Sequence, residues 1–150
     1  NRSILADPRK ANMKKIINEA VKFREGFRPF APAVLEEFST EIFDLPKDEK
    51  VFYMERAVKV KKIWTHKIPA VTHIDGTARV QTVTKKSNKE LYDLIRAFYK
   101  KTKIPVLINT SFNLNGEPIV MSPEHAIRTF YSCGLDTLVI GDYVINKIDD

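Results

Sequence analysis

The chain predicts a single α/β domain, and three observations carry that prediction. Segments of strand character alternate with segments of helical periodicity from end to end, the pattern of layered α/β folds. Ile104 and Val106 to Ile108 form an apolar run interrupted only by Pro105, as expected of a strand buried on both faces, and it passes straight into the polar cluster Asn109, Thr110, Ser111 and Asn113. Finally, 150 residues with 43% hydrophobic and 29% charged suffice for one real core, and no repeat, low-complexity tract or internal linker divides them.

Taken in order, Asp7-Pro8 reads as an N-cap followed by proline at the first helical position, and Met13, Ile16, Ile17, Ala20 and Val21 continue at helical spacing to give a helix over 8–21. Gly26, Pro29 and Pro32 exclude a helix over 22–34, where three phenylalanines would anchor the segment on the core. A short helix is expected over 35–43, a polar loop over 44–50 and a strand over 51–60. Residues 69–75 and 78–83 read as two strands joined at Gly76-Thr77. Ser87-Asn-Lys-Glu90 has the form of a capping box opening a helix with Leu91, Leu94, Ile95 and Phe98 on one face. A strand over 105–110 follows, then a short one over 118–121. Ser122-Pro123-Glu124 starts another helix, with Ala126, Ile127, Phe130 and Tyr131 inward and Gly134 at its end. Strands over 137–140 and 143–148 close the chain.

The net charge is +6 with a pI near 9.4, so an anionic partner is expected. Lys61-Lys62, Lys85-Lys86 and Lys100-Lys101 fall at turns or helix ends and read as solvated surface. Arg2, Lys22, Arg24, Arg28 and Arg79 differ, because each lies inside or beside apolar sequence. The lone Cys133 excludes an internal disulfide and a cysteine-based zinc site, reads as a small buried hydrophobe and fits a reducing cytoplasm. No apolar run reaches the ~20 residues of a membrane helix. Asn1 in place of Met, within a motif-like segment, marks the chain as a piece of something longer.

Neither standard phosphate cradle is present: Gly-x-x-x-x-Gly-Lys-Ser/Thr and Gly-x-Gly-x-x-Gly are both absent. His66, His73 and His125 have no metal-ligand spacing. His73, flanked by apolar residues, reads as a hydrogen-bonded strand histidine, and His125 as a surface residue in the first turn of a helix. What remains is a set of cations able to converge on an anion. Lys22 and Arg28 flank a stiff Pro/Phe segment, and Arg79 enters a strand just after Asp75-Gly-Thr77; its plainer reading is a strand-edge arginine paired to a carboxylate. Arginine meets phosphate and carboxylate oxygens in bidentate fashion, while lysine supplies a compact charge. With a serine hydroxyl they make a clamp for a triphosphate and an acyl phosphate, in which positioning and charge stabilisation supply most of the catalysis.

Four long motifs appear in order: Asn1-Arg-Ser-Ile-Leu-Ala-Asp-Pro-Arg9, Lys22-Phe-Arg-Glu-x-Phe-Arg-Pro-Phe-Ala-Pro32, Pro69-Ala-Val-Thr-His-Ile-Asp-Gly-Thr-Ala-Arg-Val-Gln-Thr-Val83 and Asn109-Thr-Ser-Phe-Asn-x-x-Gly-Glu-Pro-Ile119. Together they resemble the C-terminal domain of the O-carbamoyltransferases, the NodU family that also includes antibiotic-tailoring enzymes, over essentially the whole chain. The resemblance implies a single twisted mixed-sheet domain of YrdC/Sua5-like type over residues 1–150. It also implies a larger N-terminal Kae1-like domain, absent from this chain. The activity it implies is formation of carbamoyl adenylate from carbamoyl phosphate and ATP with Mg²⁺. The carbamoyl group is then moved to an acceptor hydroxyl at an iron-dependent site in that other domain.

By position, the family's basic pair falls on Lys22 and Arg28, its strand arginine on Arg79 and its serine on Ser111, implied as the catalytic set. Arg24, Asn109 and Asn113 are implied as substrate- and nucleotide-binding, since Lys22-Phe-Arg24 and Ser111-Phe-Asn113 match the Lys-x-Arg and Ser-x-Asn signatures of the Sua5-like relatives. No metal ligand is implied in this domain. Gly26 stands where many relatives have proline, which loosens that loop without touching a charged group. Two other readings compete: a basic nucleic-acid-binding module, against which no basic stripe interleaved with aromatics appears, and a non-catalytic docking domain.

Overall fold

The computed structural model describes residues 2–23 and 29–147, so Arg24 and Arg28 lie outside the described residues. Its centre is a four-stranded mixed sheet in the order β1 (Ser3–Ala6), β6 (Val106–Ser111), β2 (Ala31–Leu35), β5 (Gln81–Val83). β6 runs antiparallel to both its neighbours, while β2 and β5 are parallel. The expected α/β domain with a mixed sheet is therefore present. β6 is central because its sequence allows nothing else: Val106 to Ile108 are all buried, with Val106 and Ile108 on one face and Leu107 on the other.

On the Leu107 face lies α4 (Lys89–Thr102), packing Leu91 and Ile95 against Ala33, Leu35 and Val83. On the opposite face Phe30, Val34 and Ile108 meet Ile17 of α1 (Met13–Ile17), Ile42 of α2 (Glu36–Ile42), Trp64 of α3 (Lys62–Thr65), Val58 of β3 (Ala57–Lys59) and Ala78 of β4 (Thr77–Arg79). A smaller cluster joins Ile4, Val21 and Phe112 to Phe130 of α5 (Pro123–Tyr131) and Leu138 of β7 (Thr137–Ile140), which pairs with β8 (Tyr143–Asn146).

Several elements differ from the sequence expectation, each for a local reason. The first helix starts at Met13 rather than at Pro8, because the Asp7 carboxylate accepts from the N–H and guanidinium of Arg9 and closes a turn there. It then widens into a π-helix over Asn18–Lys22. Instead of a strand over 51–60, Ala57–Lys59 pairs antiparallel to β4 and Val60 forms a single antiparallel bridge with Phe43. Ahead of it Met54 holds a positive φ of 59°, and side chains occupy the carbonyls a strand partner would use: Gln81 Nε2 donates to Phe52 O at 3.0 Å and Arg79 Nε to Met54 O at 3.1 Å.

Residues 69–75 contain a 3₁₀ turn, Pro69–Val71, followed by a turn closed by Gly76 N–H on His73 O, with Gly76 at φ 77°. The expected strand over 78–83 breaks at Val80 into β4 and β5, which belong to different sheets. Ser87 is tied into a reciprocal turn with Thr84, so Asn88 caps α4 by accepting from Leu91 N–H at 3.0 Å. Residues 118–121 form no strand, although Val120 N–H reaches Phe112 O. The helices over 35–43 and after Ser122, and the strands at 105–110 and 137–140, stand where the sequence puts them, while the last strand covers Tyr143–Asn146. Among the described residues no helix is long and apolar enough to cross a membrane.

Candidate functional site

Strand register brings the four sequence motifs to one end of the sheet. Ser3 of the first motif pairs with Ser111 of the fourth, Ala31 of the second pairs with Asn109, and Ala33 pairs with Gln81 of the third. Because β6 runs against both β1 and β2, the C-terminal end of β6 lies beside the start of β1 and β2, and parallel pairing puts the start of β5 there too. Side chains of Asn109 and Ser111, two residues apart, point to the same side of β6.

Lys22 reaches this end from the π-helix. In this wider turn Asn18, Val21 and Lys22 all face inward. Lys22 is 4% exposed. Its ammonium donates to Ser111 O at 2.7 Å, Asn113 Oδ1 at 2.8 Å, Asn113 O at 3.0 Å and Ser111 Oγ at 3.3 Å. These oxygens are carbonyl, amide and hydroxyl groups, whose hydrogen bonds compensate the burial of the cation and hold it in place.

The cluster has a defined polarity. Asn113 Nδ2 donates to Glu117 O at 2.7 Å and Leu114 O at 3.1 Å, which fixes Oδ1 as the end facing Lys22 and Ser111. Ser111 Oγ then donates to Asn113 Oδ1 at 2.6 Å. Lys22, Ser111 and Asn113 thus form one hydrogen-bonded unit across two distant chain segments.

A second unit sits on the same sheet end. Asn109, nearly buried, donates from Nδ2 to Gln81 Oε1 at 2.7 Å, and Gln81 donates onward to Phe52 O. Arg79, two residues before Gln81, is exposed and holds the Met54 carbonyl beside it. Among the described residues Arg79 is therefore bound to a backbone carbonyl in the segment 52–54 rather than to a carboxylate, the partner of its plainer reading. Gln81 and the segment 52–54 escaped the sequence reading; the signal for them was the alternation of Arg79 and Gln81 on one side of the chain.

Other candidates lie elsewhere. Arg2 donates to Val120 O at 3.0 Å. Arg9 pairs with Asp7 and stacks 5.5 Å from the Phe98 ring, toward the far end of β1. His73 is a turn residue rather than a strand residue: Nδ1 lies 3.0 Å from Thr77 Oγ1, and burial pushes its pKa below the usual imidazole value. His125 is exposed in the first turn of α5, and Cys133 is half-buried. Among the described residues no group of three or more His, Cys, Asp or Glu is placed to hold a metal.

The Carbamoyltransferase C-terminus family model matches residues 1–147. Nodulation protein NolO of Bradyrhizobium diazoefficiens is 50% identical over 98% of this chain, and nodulation protein NolNO of Sinorhizobium fredii is 52% identical over the same share. Nodulation protein U of Rhizobium tropici is 43% identical over 77% of it. The chain spans 27%, 22% and 20% of those three relatives, so it corresponds to about a quarter or less of each. With a match that runs from the first β-strand past the last, and with all four motifs meeting at one end of the sheet, the chain belongs to the carbamoyltransferase C-terminus family.

Proposed function

We propose that this domain activates a carbamoyl group by forming carbamoyl adenylate from carbamoyl phosphate and ATP, in a YrdC/Sua5-like site at the end of the sheet that holds Lys22, Ser111 and Asn113. The observation that carries the reading is the buried Lys22 ammonium, fixed by hydrogen bonds to Ser111 at the end of the central strand and to Asn113 in the loop after it. A cation kept in this way is preorganised for an anion, since its position is fixed before the ligand arrives.

In the proposed reaction carbamoyl phosphate is first hydrolysed to carbamate and inorganic phosphate. A carbamate oxygen then attacks the α-phosphorus of ATP. The new O–P bond forms as the bond from the α-phosphorus to the bridging oxygen breaks, and pyrophosphate leaves with that electron pair. Lys22 and Arg28 neutralise the carbamoyl phosphate and the adenylate phosphate, and Arg24 contributes to substrate and nucleotide binding. Arg79, exposed at the mouth, holds nucleotide phosphates. Ser111, Asn109 and Asn113 hydrogen-bond phosphate oxygens and the planar carbamoyl group. Mg²⁺ accompanies ATP through the phosphate oxygens and needs few protein ligands.

The proposal assigns delivery of the carbamoyl group to an acceptor hydroxyl to an N-terminal Kae1-like domain with its iron, in the longer protein. That partner also suits a groove of roughly 670 Å³ beside the edge of β1 that no described strand pairs, lined by Leu5, Leu91, Leu94, Val120 and Leu138. Placing the work in the reducing cytoplasm, without membrane or nucleic-acid partner, follows from the same reading.

The test is pyrophosphate release from ATP and Mg²⁺ with and without carbamoyl phosphate, in the wild type, Lys22→Ala and Ser111→Ala. Release that requires carbamoyl phosphate and is lost in both variants supports the proposal. Nucleotide binding that ignores both substitutions sinks it in favour of a docking domain.

A further inference from the structure

We infer that Gln81 sets the choice of acyl group, by locking Asn109 so that it offers an acceptor oxygen to the amino group of a carbamoyl phosphate; this rests on the carbamoyl-activating reading above. The argument starts from Phe52, whose carbonyl can only accept. Gln81 Nε2 lies 3.0 Å from it and must donate, so Gln81 Oε1 is the end that faces Asn109. Asn109 Nδ2 donates to that oxygen at 2.7 Å. Two amides in series therefore carry the polarity of one backbone carbonyl across the start of β5 to β6, and Asn109 Oδ1 is turned the other way.

Asn109 is 6% exposed and sits in the middle of the sheet, paired with Leu5 on one side and Ala31 on the other, so its position is fixed by the strand while the orientation of its amide is set by Gln81. Ser111, the residue of the same strand side that touches Lys22, is two positions further on, roughly 7 Å along the strand. That spacing suits a small acyl phosphate, with its phosphate at the Lys22 and Ser111 end and its acyl substituent at Asn109. An amino substituent donates to Oδ1. A methyl group of the same size, as in an acetyl phosphate, leaves a nearly buried acceptor unpaired, and a site built to bond one group rejects the isostere that lacks it. Gln81 acts through Asn109 and is a positioning residue.

The stable pair phosphonoacetamide and acetonylphosphonate differs only in amino against methyl and separates the possibilities by calorimetry, with ATP affinity measured in parallel. The wild type is expected to prefer phosphonoacetamide by about tenfold or more. Gln81→Met keeps the volume, frees Asn109 to turn and is expected to bring the preference within about twofold, with retained ATP binding showing that the site is still folded. Asn109→Asp, which keeps an acceptor oxygen, is expected to hold the preference even though both ligands weaken; it serves if Gln81→Met fails to fold. A wild type that binds both ligands equally, or a Gln81→Met that keeps the full preference, overturns the assignment of Gln81 and leaves the carbamoyl reading standing. A wild type that binds ATP and neither phosphonate overturns the carbamoyl reading itself, and this inference with it.

Discussion

Lys22 Nζ lies 2.8 Å from Asn113 Oδ1, joining two residues that are 91 positions apart. That bond, with its companions to Ser111, ties the end of the π-helix to the loop after the central strand. It means the candidate site is assembled by tertiary structure, and its parts should respond to substitution as a unit.

Replacing Lys22 with Met keeps the stem and removes the charge. Its oxygen partners on Ser111 and Asn113 then lose their donor inside the protein, at a cost of about 1–3 kcal/mol in stability. Turnover is expected to fall by roughly 10²–10³-fold if the charge acts on the transition state. Thermal unfolding and initial rates, read on the same sample, separate the two effects.

Ser111→Ala removes a hydroxyl that donates to Asn113, while Lys22 keeps its other bonds to the loop. The fold is expected to survive with a loss of about 1 kcal/mol. Because Ser111 Oγ already gives its proton to Asn113, a phosphate must displace that bond to receive it. The site should therefore bind phosphates more weakly in Ser111→Ala than in the wild type, and calorimetry with inorganic phosphate measures this.

Gly134 stands against the π-helix. A Cβ there would lie 3.1 Å from Ala20 Cβ and 3.2 Å from its Cα, and Gly134 N–H already donates to Ala20 O. Gly134→Ala is expected to destabilise by about 1–3 kcal/mol, since backbone must move to admit the methyl group. The displaced element is the one that carries Lys22, so phosphate affinity is expected to drop as well, although Gly134 itself touches no ligand.

Acid is expected to weaken the turn at 73–77. Burial lowers the His73 pKa, so the unfolded chain binds a proton more readily than the folded one, and the stability this group contributes is present above the ordinary imidazole pKa and is lost as pH falls below it. The Thr77 hydroxyl and N–H hold the Asp75 carboxylate below its usual range, a contribution present above the ordinary aspartate pKa and lost at still lower pH. Melting temperature should thus begin to decline as pH falls through the ordinary histidine range. His73→Gln should remove that first decline and leave the later one.

How much of this was readable from sequence depended on whether local rules decided the outcome. The unbroken apolar run of β6 and the amphipathic stripe of α4 left few alternatives, and both elements stand where expected, with Leu91 and Ile95 buried and Leu94 about half exposed. Residues 51–60 carry enough β-forming side chains for a strand, yet Arg79 and Gln81 take the carbonyls of Met54 and Phe52, a competition set by partners some 25 and 29 positions away. Lys22 and Ser111 were singled out by family resemblance. Their direct contact was not visible in the spacing, because it depends on the π-helix that turns Lys22 inward, and periodicity alone predicts the ordinary α-helical face. Gln81 went unnoticed as an uncharged residue in a strand, and its role appears only once Asn109 is seen beside it.

The central claim is that a carbamoyl group becomes joined to an adenylate in this domain. Carbamoyl phosphate labelled with ¹³C, incubated with ATP, Mg²⁺ and the protein and quenched for mass spectrometry, addresses it most directly. The account predicts carbamoyl adenylate carrying the label, formed together with pyrophosphate and absent with Lys22→Met. Binding of ATP and carbamoyl phosphate by the wild type without any labelled adenylate would contradict it.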